Sequence, residues 1–152
     1  MSLSTRGEYA ARALLHLALA YDLGAPVKTA EIAERQSIPK KYLEQILLLF
    51  KNEGILRSRP GLNGGYLLAR HPSQITVAEI VRTADGPLAP VRCVSRTAHT
   101  RCTCAVEATC ALRTVWQEAR DAMAGVLERT TLEEVASRAR TMMRACAPMY
   151  YI

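Results

Sequence analysis

Between Thr29 and Arg70 the chain fits two short helical periods, a proline break and a glycine-tipped pair of strands, an order that leaves few folds open. Ile32 and Ala33 mark the inward positions of a helix over Ala30–Gln36, which Thr29 is placed to cap. Ser37-Ile38-Pro39 breaks the chain, with Pro39 suited to the first turn of the next helix, where a missing N–H is harmless. Leu43, Ile46, Leu47 and Phe50 then recur at three- and four-residue spacing, and Gly54 ends that helix. Ile55–Arg59 and Tyr66–Arg70 read as two short strands around Pro60-Gly61-Leu62-Asn63-Gly64-Gly65. Asn63-Gly64 is the expected turn, because both residues tolerate positive φ. Upstream, Ala10, Ala13, Leu14, Leu17, Ala18 and Tyr21 put one apolar stripe on an N-terminal helix closed by Gly24 and Pro26. These elements predict a mainly α fold with a small β-wing, a winged helix–turn–helix head. The plainer alternative is an αα-hairpin beside an unrelated loop.

Charge supports the first reading. The 152 residues carry a net charge of +6, of which +4 lies in residues 1–72 and +2 in residues 73–152, with a second basic focus at Arg92, Arg96 and Arg101. A recognition helix presents its first turns to DNA, and here these carry Lys40, Lys41, Tyr42, Glu44 and Gln45. The two lysines suit phosphates, Glu44 a cytosine amino group and Gln45 an adenine edge. In the wing, Arg57 and Arg59 are two apart on a strand and share a face while Leu56 turns inward. A hairpin arginine suits the negative potential of a narrow minor groove. The partner expected from this is a double-stranded DNA operator.

Other classes fit less well. Glu8 and Arg12 interrupt the apolar N-terminus, so a signal peptide is not expected, and no apolar run is long enough for a membrane span. A cytoplasmic location follows as an expectation, and there clustered cysteines serve as ligands or reactive thiols more often than as structural disulfides. No Ser–His–Asp array, phosphate loop or pair of catalytic carboxylates points to an enzyme, and His16 and His71 read as helix-surface and loop residues. A protein-interaction module without DNA binding remains a rival.

Beyond the wing, Thr76–Ala84 reads as a short helix with Val77, Ile80 and Val81 inward. Asp85–Thr109 has little periodicity and holds Gly86, Pro87 and Pro90. A loop of that length within a compact domain is usually functional or disordered. From Cys110 a long helix resumes, with Leu112, Val115, Trp116, Ala119, Met123, Val126 and Leu127 along one side as the expected dimer seam, or in part as core within the chain. Thr131 and Glu134 form a capping box for a last helix reaching Cys146. The expected division is residues 1–72 as DNA-binding head, 73–109 as short helix and cysteine-rich loop, and 110–152 as dimerisation and C-terminal helices.

Four of the five cysteines fall in one segment, Cys93-x8-Cys102-x-Cys104-x5-Cys110. The residues between them are mostly polar (Ser95, Arg96, Thr97, His99, Thr100, Arg101), which argues against inert core cysteines. Gathered soft thiolates suit an iron–sulfur cluster or zinc, although structural zinc usually shows paired short spacings that are missing here. Arg92, Arg96 and Arg101 favour the thiolate form. A metal-free thiol switch, closed by a disulfide such as Cys93–Cys110 or by a sulfenic acid, is the alternative. His99 is a further donor in reach of the loop, and Cys146 reads as a free thiol near the tail.

The segments Ser4-Thr-Arg-Gly-Glu-Tyr-Ala, Tyr42-Leu-Glu-Gln-Ile, Gly64-Gly-Tyr-Leu-Leu and Cys104-x5-Cys110-x5-Trp116, in this order, resemble the IscR/NsrR/RirA (BadM-like) family of bacterial regulators over about residues 2–140. The resemblance implies a homodimer on a palindromic operator, mostly repressing, whose DNA affinity follows the state of a 2Fe–2S or 4Fe–4S cluster sensing iron, nitric oxide or redox stress. Carried over by position, it implies Cys93, Cys104 and Cys110 as ligands, with Cys102 able to replace Cys104. Some branches place a fourth-ligand His three residues after the last cysteine, where this chain has Arg113. Others use an acidic residue of the first helix of the partner subunit, a place that Glu8 occupies here.

Overall fold

The structure is a computed structural model that describes residues 3–104 and 106–146, so the last residues of the expected third segment lie outside it. Helix α1 (Thr5–Leu19) starts at Ser4, whose hydroxyl accepts from Gly7 N at 3.1 Å. Its buried stripe is Ala10, Ala13, Leu14, Leu17 and Ala18, and α2, α3, α4 and α6 pack on it, the three alanines allowing close approach. Tyr21 falls just beyond, in a 3₁₀ turn over Tyr21–Leu23.

Helix α2 (Thr29–Gln36) begins one residue earlier than the expected cap allows. Thr29 is its first helical residue, and Lys28 holds the cap position without a side-chain hydrogen bond. Ser37, at φ 52°, is the one residue other than glycine with positive φ among the described residues. That reversal, secured by the Ile38 N–H donating to Ala33 O at 2.9 Å, swings Ile38 into the core. Helix α3 (Lys40–Asn52) follows, with Pro39 at its cap position rather than inside its first turn.

Strands β1 (Leu56–Arg59) and β2 (Gly65–Leu68) pair antiparallel, Leu56 opposite Leu68 and Arg59 opposite Gly65. Both are shorter than expected, and Val27 bridges Tyr66 from outside, with two N–H···O bonds of 2.9 Å. The turn chemistry differs too. Positive φ falls on Gly61 and Gly65, not on Asn63 or Gly64. Gly64 is needed because a Cβ there would overlap the Arg59 carbonyl, a close approach rather than a left-handed bend.

Phe50, Leu14, Ile32, Leu43, Ile46, Leu47, Ile55, Ile75, Ile80 and Leu132 form the centre of the main core. Each contributes about 1.5–3 kcal/mol by leaving water. Helix α4 (Val77–Asp85) is capped by Thr76, which accepts from Glu79 N, and buries Ala78, Ile80, Val81 and Ala84. Val77 is half-buried. Helix α6 (Leu132–Cys146) returns to the head: Leu132 and Ala136 join the main core, and Leu132 N donates to Ile75 O at 2.8 Å. Its start carries the expected capping box, with reciprocal Thr131–Glu134 bonds of 3.1 and 3.2 Å. Helix α6 thus packs on the main core, while α5 (Ala111–Arg129) lies on α4.

Helix α5 splits the expected stripe in two. Met123 and Leu127 pack on Ala78, Val81 and Leu88, beside the buried Ala124. Leu112, Val115, Trp116, Ala119 and Val126 face solvent, with Leu112 64% and Val115 52% exposed. The division runs mainly along the helix: at 100° per residue the seven positions share one face about 120° wide, and α4 covers only its C-terminal turns, with Val126 left at the edge.

Candidate nucleic-acid interface and cysteine loop

On the head, Lys40, Lys41, Glu44 and Gln45 are exposed along the first turns of α3. Tyr42 has a second contact besides the cleft it lines. Half-buried, it meets Tyr9 edge-on at 5.9 Å between ring centroids, so it braces α3 against α1. The other end of the turn is braced as well: Arg12 donates to the carbonyl of Gln36, pairs with Glu8 at 3.5 Å and lies 5.6 Å from the Tyr9 ring. Arg57 and Arg59 are exposed on one face of β1, and neither they nor Lys40 and Lys41 enter an ion pair among the described residues. Four free cations thus stand on helix and wing.

Sequence reasoning missed Arg6. The start of α1 and the flank of α3 form a cleft lined by Ser4, Thr5, Arg6, Tyr42 and Gln45, which adds a cation beside the recognition helix. Its signal was a basic residue in the first turn after a serine cap. Behind it, Asp85 at the end of α4 accepts from Ser4 N at 2.8 Å and from the Ser4 hydroxyl, tying the start of α1 to α4. The two histidines also have partners. His16 is largely buried, 3.4 Å from Gln36 Nε2 and 3.7 Å from Glu31, rather than a plain surface residue. His71 accepts from Ser73 N and meets Tyr21 edge-on.

The segment between α4 and α5 is irregular apart from 3₁₀ turns at Arg92–Val94 and Glu107–Thr109. It is anchored at Val94, buried, whose carbonyl accepts from Arg120 of α5. Arg120 in turn grips Asp121 through two bonds of 2.8 and 2.9 Å, and Arg96 reaches Asp121 at 2.8 Å. The Arg120 hydrogen bond, with its charge behind it, holds the Asp121 carboxyl below the usual carboxylate range. The charge of Arg96 is thereby directed to a carboxylate instead of to the sulfurs.

A second carboxylate organises the middle of the loop. Glu107 accepts from Cys102 N at 3.2 Å and lies 3.2 Å from His99 Nε2. The Cys102 N–H, then the His99 hydrogen bond, hold its carboxyl below the ordinary range. Arg113 stands 3.6 Å away, and its Nε is shielded from solvent without a hydrogen-bond acceptor among the described residues.

The sulfurs themselves divide. Cys102 and Cys104 are paired, with Cα atoms 5.2 Å apart, while Cys93 and Cys110 are half-buried free thiols and Cys146 is an exposed one. Cys110 occupies the cap position of α5. Among the described residues no three His, Cys, Asp or Glu side chains converge as metal ligands. Cys93, Cys104 and Cys110 are therefore not brought together within one chain, because Cys104 turns to its near neighbour. Glu8 is exposed and paired with Arg12. By donor chemistry the loop still fits an iron–sulfur group: it offers soft thiols on one irregular, solvent-reachable segment.

Comparison with known proteins gives the same architecture a lineage. Residues 3–138 match the Rrf2 profile, described as an iron-dependent transcriptional regulator. The chain belongs to the Rrf2 family. A Mycobacterium tuberculosis protein named as an HTH-type transcriptional regulator is 40% identical over 139 residues, 91% of this Rrf2 chain and 83% of its own length. The structure of CymR, titled the global cysteine regulator of B. subtilis, superposes with a TM-score of 0.76 at 32% identity, covering 91% of this chain and 98% of CymR. T. potens IscR gives 0.76 at 28% identity, covering 99% and 97%. This Rrf2 chain is thus a winged-helix transcriptional regulator of a non-enzymatic, DNA-binding family. No described helix is long and apolar enough to cross a membrane.

Proposed function

We propose that this Rrf2 protein is a homodimeric DNA-binding repressor that reads a palindromic operator and is switched through its cysteine loop. What supports the DNA reading most is the set of unpaired, exposed cations, Lys40 and Lys41 on α3 and Arg57 and Arg59 on the wing. A bundle of free positive charge on a helix and hairpin is the electrostatic footprint of a duplex partner. Glu44 and Gln45, exposed beside the lysines, serve base readout.

The dimer reading rests on α5, whose Leu112, Val115, Trp116, Ala119 and Val126 leave an apolar strip uncovered. An exposed strip of that kind on a helix marks a protein contact, and the same strip on a second copy is self-complementary. Two heads held by such a seam read two half-sites about one helical turn of DNA apart.

For the sensor, Cys93, Cys104 and Cys110 would hold a 2Fe–2S or 4Fe–4S cluster, with Cys102 in place of Cys104 as an option and Glu8 of a second copy as the added oxygen donor. When bound, such a group supplies iron–thiolate bonds that respond to iron supply, nitric oxide or electron loss. The protein's own part is mechanical. Glu107 fixes the loop's turn, Arg120 fixes its entry at Val94, and Arg12 joins Glu8 to the end of α2 just before the recognition helix. The test is anaerobic purification with iron and acid-labile sulfide assays, alongside duplex binding at several salt concentrations. Bound iron and sulfide that disappear in Cys93→Ser, Cys104→Ser, Cys110→Ser protein support the reading. Protein lacking both, with no salt-dependent affinity for duplex DNA, overturns it.

A further inference from the structure

Cys102 has no counterpart in the three-cysteine pattern implied by the family resemblance, and the structure gives it a specific neighbour. Its sulfur is paired with that of Cys104, with Cα atoms 5.2 Å apart, inside the span a disulfide bridges without backbone movement. The surrounding bonds hold this arrangement from both sides. Cys104 N donates to Cys102 Sγ at 3.3 Å, and Cys102 N donates to Glu107 Oε2 at 3.2 Å. Cys104 is exposed, Cys102 is half-buried, and Cys93 and Cys110 remain apart as free thiols.

We propose that Cys102 and Cys104 form a reversible oxidation site for hydroperoxides, in which exposed Cys104 takes the oxidant and Cys102 resolves it. The inference rests on reading this loop as the sensing segment, but it requires no bound metal. In the first step the thiolate of Cys104 attacks the terminal peroxide oxygen. An S–O bond forms, the O–O bond breaks, and water or an alcohol leaves, giving a sulfenic acid. In the second, the Cys102 sulfur attacks Cys104 Sγ: the S–S bond forms, the S–O bond breaks, and hydroxide leaves as water with the thiol proton. Two electrons pass from the sulfurs to the peroxide. A dithiol reductant reverses the change by exchange. The pair differs from the Cys93–Cys110 bridge that spacing alone left open, because only Thr103 separates its members and Glu107 already fixes the turn.

Trypsin cuts after Arg101 and Arg113, so peptide 102–113 contains Cys102, Cys104 and Cys110. Full-length protein, reduced and stripped of metal by a chelator, is treated with hydrogen peroxide, alkylated at its free thiols, digested and sequenced by mass spectrometry. The expected peptide is two hydrogens lighter than its reduced form and bears a single label, on Cys110, with Cys93 labelled elsewhere. Dithiothreitol before alkylation restores all three labels. In Cys102→Ser protein the same treatment carries Cys104 to sulfinic acid, and dithiothreitol no longer recovers its label. A label retained on Cys104 together with a cross-link between Cys93 and Cys110 overturns the proposal, as does full recovery of Cys104 in Cys102→Ser. Because iron and sulfide are absent throughout, failure here leaves the cluster reading standing, and an iron-free native protein leaves the disulfide standing.

Discussion

Replacing Arg59 with alanine tests the DNA reading with a number attached. Arg59 lies exposed at the end of β1 opposite Gly65, sharing a face with Arg57, and no carboxylate among the described residues competes for it. If its charge neutralises a phosphate, each copy bound to duplex DNA releases one fewer counterion, and the slope of log affinity against log salt flattens by about 0.9 per head. A dimer carries two heads, so Arg59→Ala should flatten it by about 1.8. Between about 50 and 200 mM salt, that slope makes the penalty about tenfold larger at the lower concentration. Fluorescence anisotropy with a random-sequence duplex measures this without knowledge of the operator. Each lost cation contact is worth about 1 kcal/mol per head, so the dimer should bind about 30-fold more weakly overall. A penalty that is the same at both salt concentrations would refute the phosphate role, and an unchanged affinity would refute any contact by this arginine. A slope change of only half the expected size would show one wing engaged per complex.

Other expectations follow from the packing. Gly7→Ala places a Cβ 2.5 Å from Asp85 Oδ2 and should destabilise the fold by about 1–3 kcal/mol, read as a lower urea midpoint. Pairing it with Asp85→Ala should give less than the sum of the two single changes. Val115→Asp, on the uncovered N-terminal part of α5, should shift the light-scattering mass from dimer to monomer while helicity holds. Met123→Ala, where the C-terminal turns of α5 pack on α4, should lower stability by about 1–3 kcal/mol. Asp121 is held below its ordinary pKa, so the folded state gains from its charge above the unfolded value and loses that gain as pH falls through the folded one. Protection of the Val94 and Ser95 amides, taken as intrinsic over observed exchange rate at each pH, should therefore fall on acidification in wild type, and should already be low and independent of pH in Asp121→Asn.

The helix–turn–helix was legible because its signals are local: the period of Leu43, Ile46, Leu47 and Phe50, and the break at Ser37-Ile38-Pro39. Errors arose where tertiary contacts overrode local preference. Asn63-Gly64 has the composition of a positive-φ turn, yet that geometry falls on Gly61 within the five-residue loop and on Gly65 at the start of β2, and leaves Gly64 against a carbonyl. Tyr42 stands among DNA-facing residues in the sequence, and only the position of Tyr9 in space shows that it also braces α3. The seven apolar residues of α5 gave no hint of which would meet α4. The cysteine spacing announced thiol chemistry, but the choice of Cys102 as the neighbour of Cys104 depends on Glu107, a contact that periodicity does not encode.

Helix α5 is held to α4 and the loop after it through Arg120, Met123, Ala124 and Leu127, while the turns before Arg120 contain no buried residue. From Cys110 to Arg120 the free arm extends about 15 Å at 1.5 Å per residue. It is a cantilever clamped at its far end, and a tilt of about 4° at the clamp sweeps its tip through about 1 Å, a third of a hydrogen-bond length. Whatever grips the tip gains leverage over the clamp, and the clamp is α4, which holds Ser4 and the start of α1 through Asp85.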